Sequence, residues 1–340
     1  MKLSTLKDML VTGQFSLLLG LRNPTRQYYR STFLAAALRE GLLSFLREQP
    51  ATLEQIHQRL IGPGTGVSRE RLQAWLDLGV MLGELRLTAD RCYTLGSRTA
   101  RQLAQPSNDP AAALFEEVCT LHHDLITQTP SRLREGRLFQ LADTPGELIA
   151  RSSRILESYI FEIMDEIVPQ AGAIRLLEIG CGSGVYIRRA CQRNPELSAV
   201  GLELQDEVAE FARQNLRAWG LAERVRVECA DVRNFASPEP FDLITLHNNI
   251  YYFPVMERLD LLCKLGSFLN PGGRLVVTTA CQGSPSTQAL HLWGLMTEGM
   301  GPLPRAEELR RLIVQAEFRD IRQTALQPGE NFFAFVGKKE

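Results

Sequence analysis

The residues best suited to chemistry gather in the stretch 176–184, LLEIGCGSG. Apolar residues of a buried strand (Ile174, Leu176, Leu177, Ile179) give way to glycines at alternate positions, Gly180, Gly182 and Gly184. A helical pattern starts at Val185. Strand, glycine turn and helix form the place where an open α/β sheet brings backbone N–H groups and a helix N-terminus to a ligand. The dinucleotide fingerprint G-x-G-x-x-G requires its third glycine at 185, which is valine. Glu178, two residues before the first glycine, repels a pyrophosphate and attracts a cationic ligand. Both features point away from a nicotinamide dinucleotide. Cys181 reads as a small loop residue, because nothing around it marks a reactive thiol.

The other candidates are histidines, of which the chain has five. His122 and His123 are neighbours on a predicted helix, so they point about 100° apart and cannot share one ion. They read as one exposed and one packed residue. His247 and Asn248 close the apolar run FDLITLHN (241–248), and NIYYFP follows. His291 lies in a predicted helix over 286–299, QALHLWGLM within it.

Regular alternation must position these residues. LSAVGLEL (197–204) leads to a helix over Asp206–Trp219, then RVRVECAD (224–231), FDLITLHN, and a helix over Val255–Leu269. GRLVVTTA (273–280) follows the turn Asn270-Pro271-Gly272, with further helices at 286–299 and 304–316. Two last strands, 319–326 and 331–338, are joined by Gln327-Pro328-Gly329 and predict an antiparallel hairpin. The expectation is a parallel α/β sheet with a reversed final strand, over a domain from 151 to 340.

Upstream, Phe33–Arg47 repeats apolar residues at helical spacing up to Pro50, and Thr52 with Gln55 predicts a capping box for Leu53–Leu60. GPGTG (62–66) predicts a turn, Ser68 caps the next helix, and ELRLT (84–88) with CYTL (92–95) predicts a hairpin. Three helices and a two-stranded wing make a winged-helix-like domain over 1–105. Its third helix, RERLQAWLDLGVML, carries Glu70 and Asp77 and no basic stripe, which favours dimerisation over DNA binding. A helical connector fills 106–150: a helix over Ala112–Leu125, then an irregular basic stretch at 131–137. A helix over Ser152–Val168 precedes the glycine strand.

At 340 residues the chain is long enough for two domains, and a formal net charge of −1 gives no polyanion partner. Seven cysteines without metal-ligand spacing read as reduced thiols of a cytoplasmic protein. The apolar run near Phe15–Leu19 reads as a helix and not as a signal peptide, and no stretch approaches the ~20 apolar residues of a membrane span.

Taken together, EIGCGSG after the first strand, an acid ending the second, Asp231 ending the third, the NPGGRLVV strand entry and the closing hairpin resemble class I S-adenosylmethionine-dependent methyltransferases. The resemblance covers the whole second half. The first half, with PRAEELRRLIVQAEF (304–318), looks like the dimeric small-molecule O-methyltransferases, which implies a homodimer. It implies S-adenosylmethionine as cofactor, with Gly180, Gly182 and Gly184 leaving space for its methionine part and Glu178 near its ammonium and sulfonium. Glu203 would hold the ribose hydroxyls and Asp231 the adenine amino group.

The same resemblance places the acceptor between the fourth strand tip and the helix that holds His291. Such O-methyltransferases usually carry a histidine base where this chain has Tyr251 or Tyr252, and His247 is shifted toward the cofactor. LHNNIYYFP with the downstream His291 looks like the α-keto acid C-methyltransferases, some of which hold a metal through two histidines. That resemblance implies His247 and His291 as catalytic residues and as ligands of a divalent or trivalent metal such as iron or zinc. A chelated 2-oxo acid would be acidified at C3 and its carbanion methylated. Hydroxyl methylation, with one histidine as base and the other orienting the substrate, is the alternative. Histidines that merely pack are a third reading, and a DNA-binding regulator is a minor one. Tyr251, Tyr252, Trp293 and Met296 are expected along an apolar small-molecule pocket, whereas Glu298, Glu157 and Asp165 would suit a cationic acceptor. No nucleic acid and no membrane partner is expected.

Overall fold

The computed structural model describes residues 3–62 and 68–340, and the chain divides into two units, Met1–Thr120 and Leu121–Glu340.

The first unit runs α1 (Leu3–Val11), α2 (Gln14–Arg39), α3 (Leu42–Glu48), β1 (Ala51–Thr52), α4 (Leu53–Leu60) and α5 (Arg69–Leu82). It continues with β2 (Leu85–Leu87), β3 (Cys92–Leu95), α6 (Arg98–Leu103) and α7 (Asp109–Glu117). Phe33, Ala37, Leu42, Leu46, Ile56 and Leu76 belong to its core. The single helix expected across Phe33–Arg47 is two, because Gly41 turns left-handed at φ 73° and starts α3. The capping box at Thr52 and Gln55 is present, with the Thr52 N–H donating to Gln55 Oε1 at 2.8 Å. The expected hairpin is β2–β3, and β1 adds a third strand in the order β1-β3-β2. Apart from Gly62, the turn expected at 62–66 lies outside the described residues.

The expected helix over Ala112–Leu125 is interrupted by a π-helical turn at Val118–His122. The second unit then opens with α8 (His123–Glu135), so the stretch expected to be irregular is helical as far as Glu135. The helix expected at 152–168 is α9 (Gly146–Ser152), a 3₁₀ turn over Ser153–Leu156, and α10 (Glu157–Ile167). From there come β4 (Arg175–Ile179), α11 (Val185–Arg193), β5 (Ser198–Glu203), α12 (Asp206–Ala218), β6 (Val225–Cys229) and β7 (Phe241–His247). The chain ends with α13 (Arg258–Phe268), β8 (Leu269–Ala280), α14 (Gln288–Met296), α15 (Ala306–Gln315), β9 (Phe318–Ala325) and β10 (Phe332–Lys339).

The seven strands lie in the order β6-β5-β4-β7-β8-β10-β9, parallel except for β10, which runs antiparallel to both its neighbours. Side chains alternate between the two faces. Leu176 packs with residues of α10, α11 and α12, while Leu177 and Ile179 pack with residues of α13 and α15. Burial on both faces explains the nearly continuous apolar runs that marked these strands. The chain moves outward from β4 to β5 and β6, then returns to β7 on the other side of β4. The strand order therefore reverses between β4 and β7, and a ligand crevice opens at the carboxyl ends of those strands.

Candidate active site

A cavity of about 290 Å³ occupies that crevice. The turn after β4 supplies Gly180 and Gly182, the tip of β5 supplies Glu203, the segment after β6 supplies Asp231, and β7 supplies His247. Five of the predicted residues are thus brought to one wall. Tyr251 and Tyr252 also line it, stacked with ring centres 5.1 Å apart at 27°.

Gly180 has φ 64°, and a Cβ there would lie 1.8 Å from Asn249 Nδ2. Only glycine fits both the backbone angle and the contact. Gly182, with φ 52°, would place a Cβ no closer than 3.9 Å to Ala150. Its N–H donates to Glu203 Oε2 at 3.1 Å. Gly184, at φ 78°, starts α11 and does not line the cavity. Cys181 packs under the turn, and a Cβ added at Gly201 would meet its sulfur at 2.9 Å. Its role is spatial.

Glu203 Oε1 accepts from the N–H groups of Leu204 and Gln205 at 2.9 and 3.3 Å. Burial raises its carboxyl above the ordinary value, and these backbone hydrogen bonds oppose the shift. At Asp231 burial also pulls upward, but the hydrogen bonds and charge of Arg233 prevail and leave the carboxyl below its usual range. Glu178 is fully buried, with no hydrogen-bond partner for either carboxylate oxygen. It lies off the cavity wall, and burial together with the Glu203 charge pushes its carboxyl well upward. An unpaired buried carboxylate and a bare glycine cradle are features that a cation-bearing ligand would complete. These residues fit S-adenosylmethionine.

His247 ends β7, 5% exposed, with its ring 4.8 Å from that of Tyr186. Nδ1 is 2.9 Å from the Thr278 hydroxyl, while Nε2 has no partner. Burial lowers its pKa to about 3, so the imidazole is neutral. His291 sits half-buried on α14 and does not line this cavity. Among the described residues no group of three or more His, Cys, Asp or Glu side chains can hold a metal ion. An iron or zinc site at His247 and His291 gains no support from the described residues, which bring no third such donor to either. α14 packs its residues on α8 and on the core beneath the tyrosines. Trp293 and Met296 are buried, Trp293 edge-on to Tyr252 at 5.6 Å, so they back the aromatic wall.

Of the acids suited to a cationic acceptor, Glu157 pairs with Arg154 and Asp165 with Arg189. Glu298 lines the cavity and accepts from Gln140 at 2.6 Å. Sequence reasoning missed one wall altogether. Gly146, Ile149, Ala150 and Ser153, from α9 and its 3₁₀ extension, face the cavity opposite the glycine turn. No motif marks them. Asn248 and Asn249 were more legible, since Asn248 holds φ 50° and asparagine is the residue that tolerates that conformation best after glycine.

Comparison with known proteins agrees with this geometry. The sequence profile of a family described as a methyltransferase domain matches residues 176–273. Demethylspheroidene O-methyltransferase of Cereibacter sphaeroides is 25% identical over 309 residues, which cover 87% of this chain and 80% of that protein. Among solved structures, mitomycin 7-O-methyltransferase superposes with a TM-score of 0.74 at 18% identity, covering 96% of this chain and 99% of the other. Human N-acetylserotonin methyltransferase in complex with SAM gives a TM-score of 0.70 at 16% identity, covering 95% and 97%. At such identities the two structures speak for the fold. No described helix is long and apolar enough to cross a membrane.

Proposed function

We propose that this protein, a class I S-adenosylmethionine-dependent methyltransferase, methylates a hydroxyl oxygen of a small organic acceptor. The observation that carries the reading is His247, on the cavity wall with the tyrosines: buried, neutral, held at Nδ1 by Thr278, and unpaired at Nε2. The cofactor supplies an electrophilic methyl group on a sulfonium. Glu203 would hold its ribose hydroxyls, Asp231 its adenine edge, and the bare backbone of Gly180 and Gly182 its methionine part. Glu178 favours the positive charge from beneath.

The acceptor hydroxyl donates to His247 Nε2, which raises the electron density on its oxygen. As the acceptor oxygen takes the methyl that the bound cofactor would supply, its hydroxyl proton would pass to Nε2 and on to solvent. Burial keeps the imidazole neutral across the physiological range, so Nε2 or Nδ1 carries a lone pair at working pH. Tyr251 and Tyr252 hold a flat acceptor in place and exclude water, and orientation supplies most of the rate. Metal-assisted C-methylation of a 2-oxo acid is the weaker reading, because the curated relative matched over most of the chain is an O-methyltransferase. Leu17 and Leu18 of α2 and Val11 of α1 are 60%, 58% and 79% exposed, apolar surface that suits a homodimer formed through the first unit.

Transfer of a labelled methyl from the cofactor to a panel of phenols, alcohols and 2-oxo acids, with the product's methyl located by NMR, tests this. An ether methyl is expected. A methyl attached to carbon refutes the reading.

A further inference from the structure

Both carboxylate oxygens of Glu178, Thr245 Oγ1, His247 Nε2 and the Tyr186 hydroxyl are buried without a hydrogen-bond partner among the described residues. Strand register brings these groups together. Glu178 of β4 stands opposite Thr245 of β7, and His247 follows two residues on, so the three side chains share one face of the sheet. Leu176 and Leu243, two residues before Glu178 and Thr245, put that face on the core that holds Tyr186. Tyr186, on the first turn of α11, packs its ring 4.8 Å from the His247 ring and edge-on to Phe161 at 6.1 Å. Neighbouring strands lie about 4.8 Å apart and two residues rise about 6.6 Å, so carboxyl, phenol and imidazole form one short buried row. Unpaired polar groups in a core are costly. A row of them is also a route along which protons pass over internal water.

Charge balance gives the row a task. The bound cofactor would carry a sulfonium, which becomes a neutral thioether once its methyl is gone, while the acceptor hydroxyl sheds a proton. An ionised Glu178 would then be left in the core with no cation to answer it. His247 Nε2 is itself buried, so the proton it receives meets the row before it meets solvent. We propose that Glu178 takes up this proton, passed from His247 Nε2 by way of the Tyr186 hydroxyl, and releases it when the next cofactor binds. The acceptor O–H bond breaks, and Nε2 gains the proton and then loses it. The phenol gains a proton as it hands on its own, and the carboxylate ends as a carboxylic acid. Sulfonium and carboxylate before transfer, thioether and carboxylic acid after it, each sum to zero charge. Burial, together with the Glu203 charge on β5, pushes the Glu178 carboxyl well up, which suits a proton store. Burial, and then the charges of Glu178 and Glu157, push the Tyr186 phenol up, so it passes a proton on and stays neutral. Cys181 in the turn, Arg154 and Tyr251 are the other titratable groups that act on this cluster. Delivery from His247 rests on the hydroxyl acceptor proposed above.

Calorimetric titration of the whole protein with S-adenosylmethionine and with S-adenosylhomocysteine, in buffers of different ionisation enthalpy at neutral pH, counts the protons released. S-adenosylmethionine should release about one proton per site more than S-adenosylhomocysteine, which lacks the sulfonium charge. Glu178→Gln should abolish that difference. Tyr186→Phe, which keeps the ring against His247, should retain the difference while kcat falls roughly tenfold, less than for loss of the base itself. Equal proton release by the two ligands in the wild type, a difference that survives Glu178→Gln, or wild-type kcat in Tyr186→Phe would each overturn it. A methyl found on carbon would take away the donor hydroxyl and overturn the proposed function with it. An ether product with equal proton release would overturn the proton transfer alone.

Discussion

The Thr278 hydroxyl lies 2.9 Å from His247 Nδ1 and so decides which imidazole nitrogen is left open. β7 and β8 are adjacent parallel strands with His247 opposite Thr278 in register, so the pairing is built into the sheet. With Nδ1 engaged, Nε2 is the ring nitrogen left without a partner.

Removing the base and removing its orienter should differ in degree. His247→Gln is expected to lower kcat by roughly 10²-fold, the lower end of general-base effects. Thr278→Val, which keeps the side-chain shape, should cost about tenfold in kcat with KM nearly unchanged, because it frees the ring without emptying the site. Steady-state kinetics on both variants measures the ratio. Equal losses would mean that Thr278 does more than orient.

Burial of His247 also sets a stability slope. Its folded pKa of about 3 lies below the ordinary value of 6.5, so its contribution is present above about pH 6.5 and is lost as pH falls toward 3. Thermal melting of the cofactor-free protein should therefore decline on acidification more steeply for the wild type than for His247→Gln. Parallel curves would show that the histidine charges without cost in the fold.

Glu178 has the opposite sign. Its folded pKa is raised above 4.5, so its contribution is present below that value and is lost as pH rises through the folded value. Between about pH 5 and pH 8, the melting temperature of cofactor-free Glu178→Gln should gain on the wild type. The same substitution should weaken S-adenosylmethionine by about tenfold, since the charge it answers is gone. A variant that binds the cofactor like the wild type would remove Glu178 from the site.

The two cavity glycines should respond differently. Gly182→Ala carries the left-handed backbone penalty of ~1 kcal/mol, yet its Cβ finds open space, so it should fold and lose cofactor affinity. Gly180→Ala also drives a Cβ into Asn249 and should melt at a lower temperature, with a lower kcat even at saturating cofactor. Differential scanning calorimetry and kinetics on the pair check this.

Chelation by EDTA should leave turnover unchanged, because among the described residues no donor cluster awaits a metal. Loss of activity, restored by one divalent ion, would revive the two-histidine reading.

Much of the second unit was readable because its strands are buried on both faces and its turns are punctuated by glycine and proline. Alternate residues of β4 feed two cores, and that alternation is visible in the letters. Gly41 was legible as a residue but not as a break, since the apolar spacing continues through it from Ala37 to Leu42. His291 was hard to place from the letters for a different reason. Its helix was positioned by resemblance, and which face of α14 meets the cavity depends on packing against α8 and the tyrosines. The α9 wall is made of small residues whose value lies in what they leave room for. No spacing rule detects that.

The fit of Asn249 against Gly180 has a meaning for protein engineering. The loop that would choose the acceptor and the loop that would hold the cofactor are keyed together at one amide. Grafting the segment after β7 from a relative, to redirect the enzyme to a new alcohol, would import whatever residue that relative carries at this position. A bulkier one would push on the glycine turn. Acceptor choice and cofactor affinity would then shift together, and a successful graft must carry Asn249 with the turn it fits.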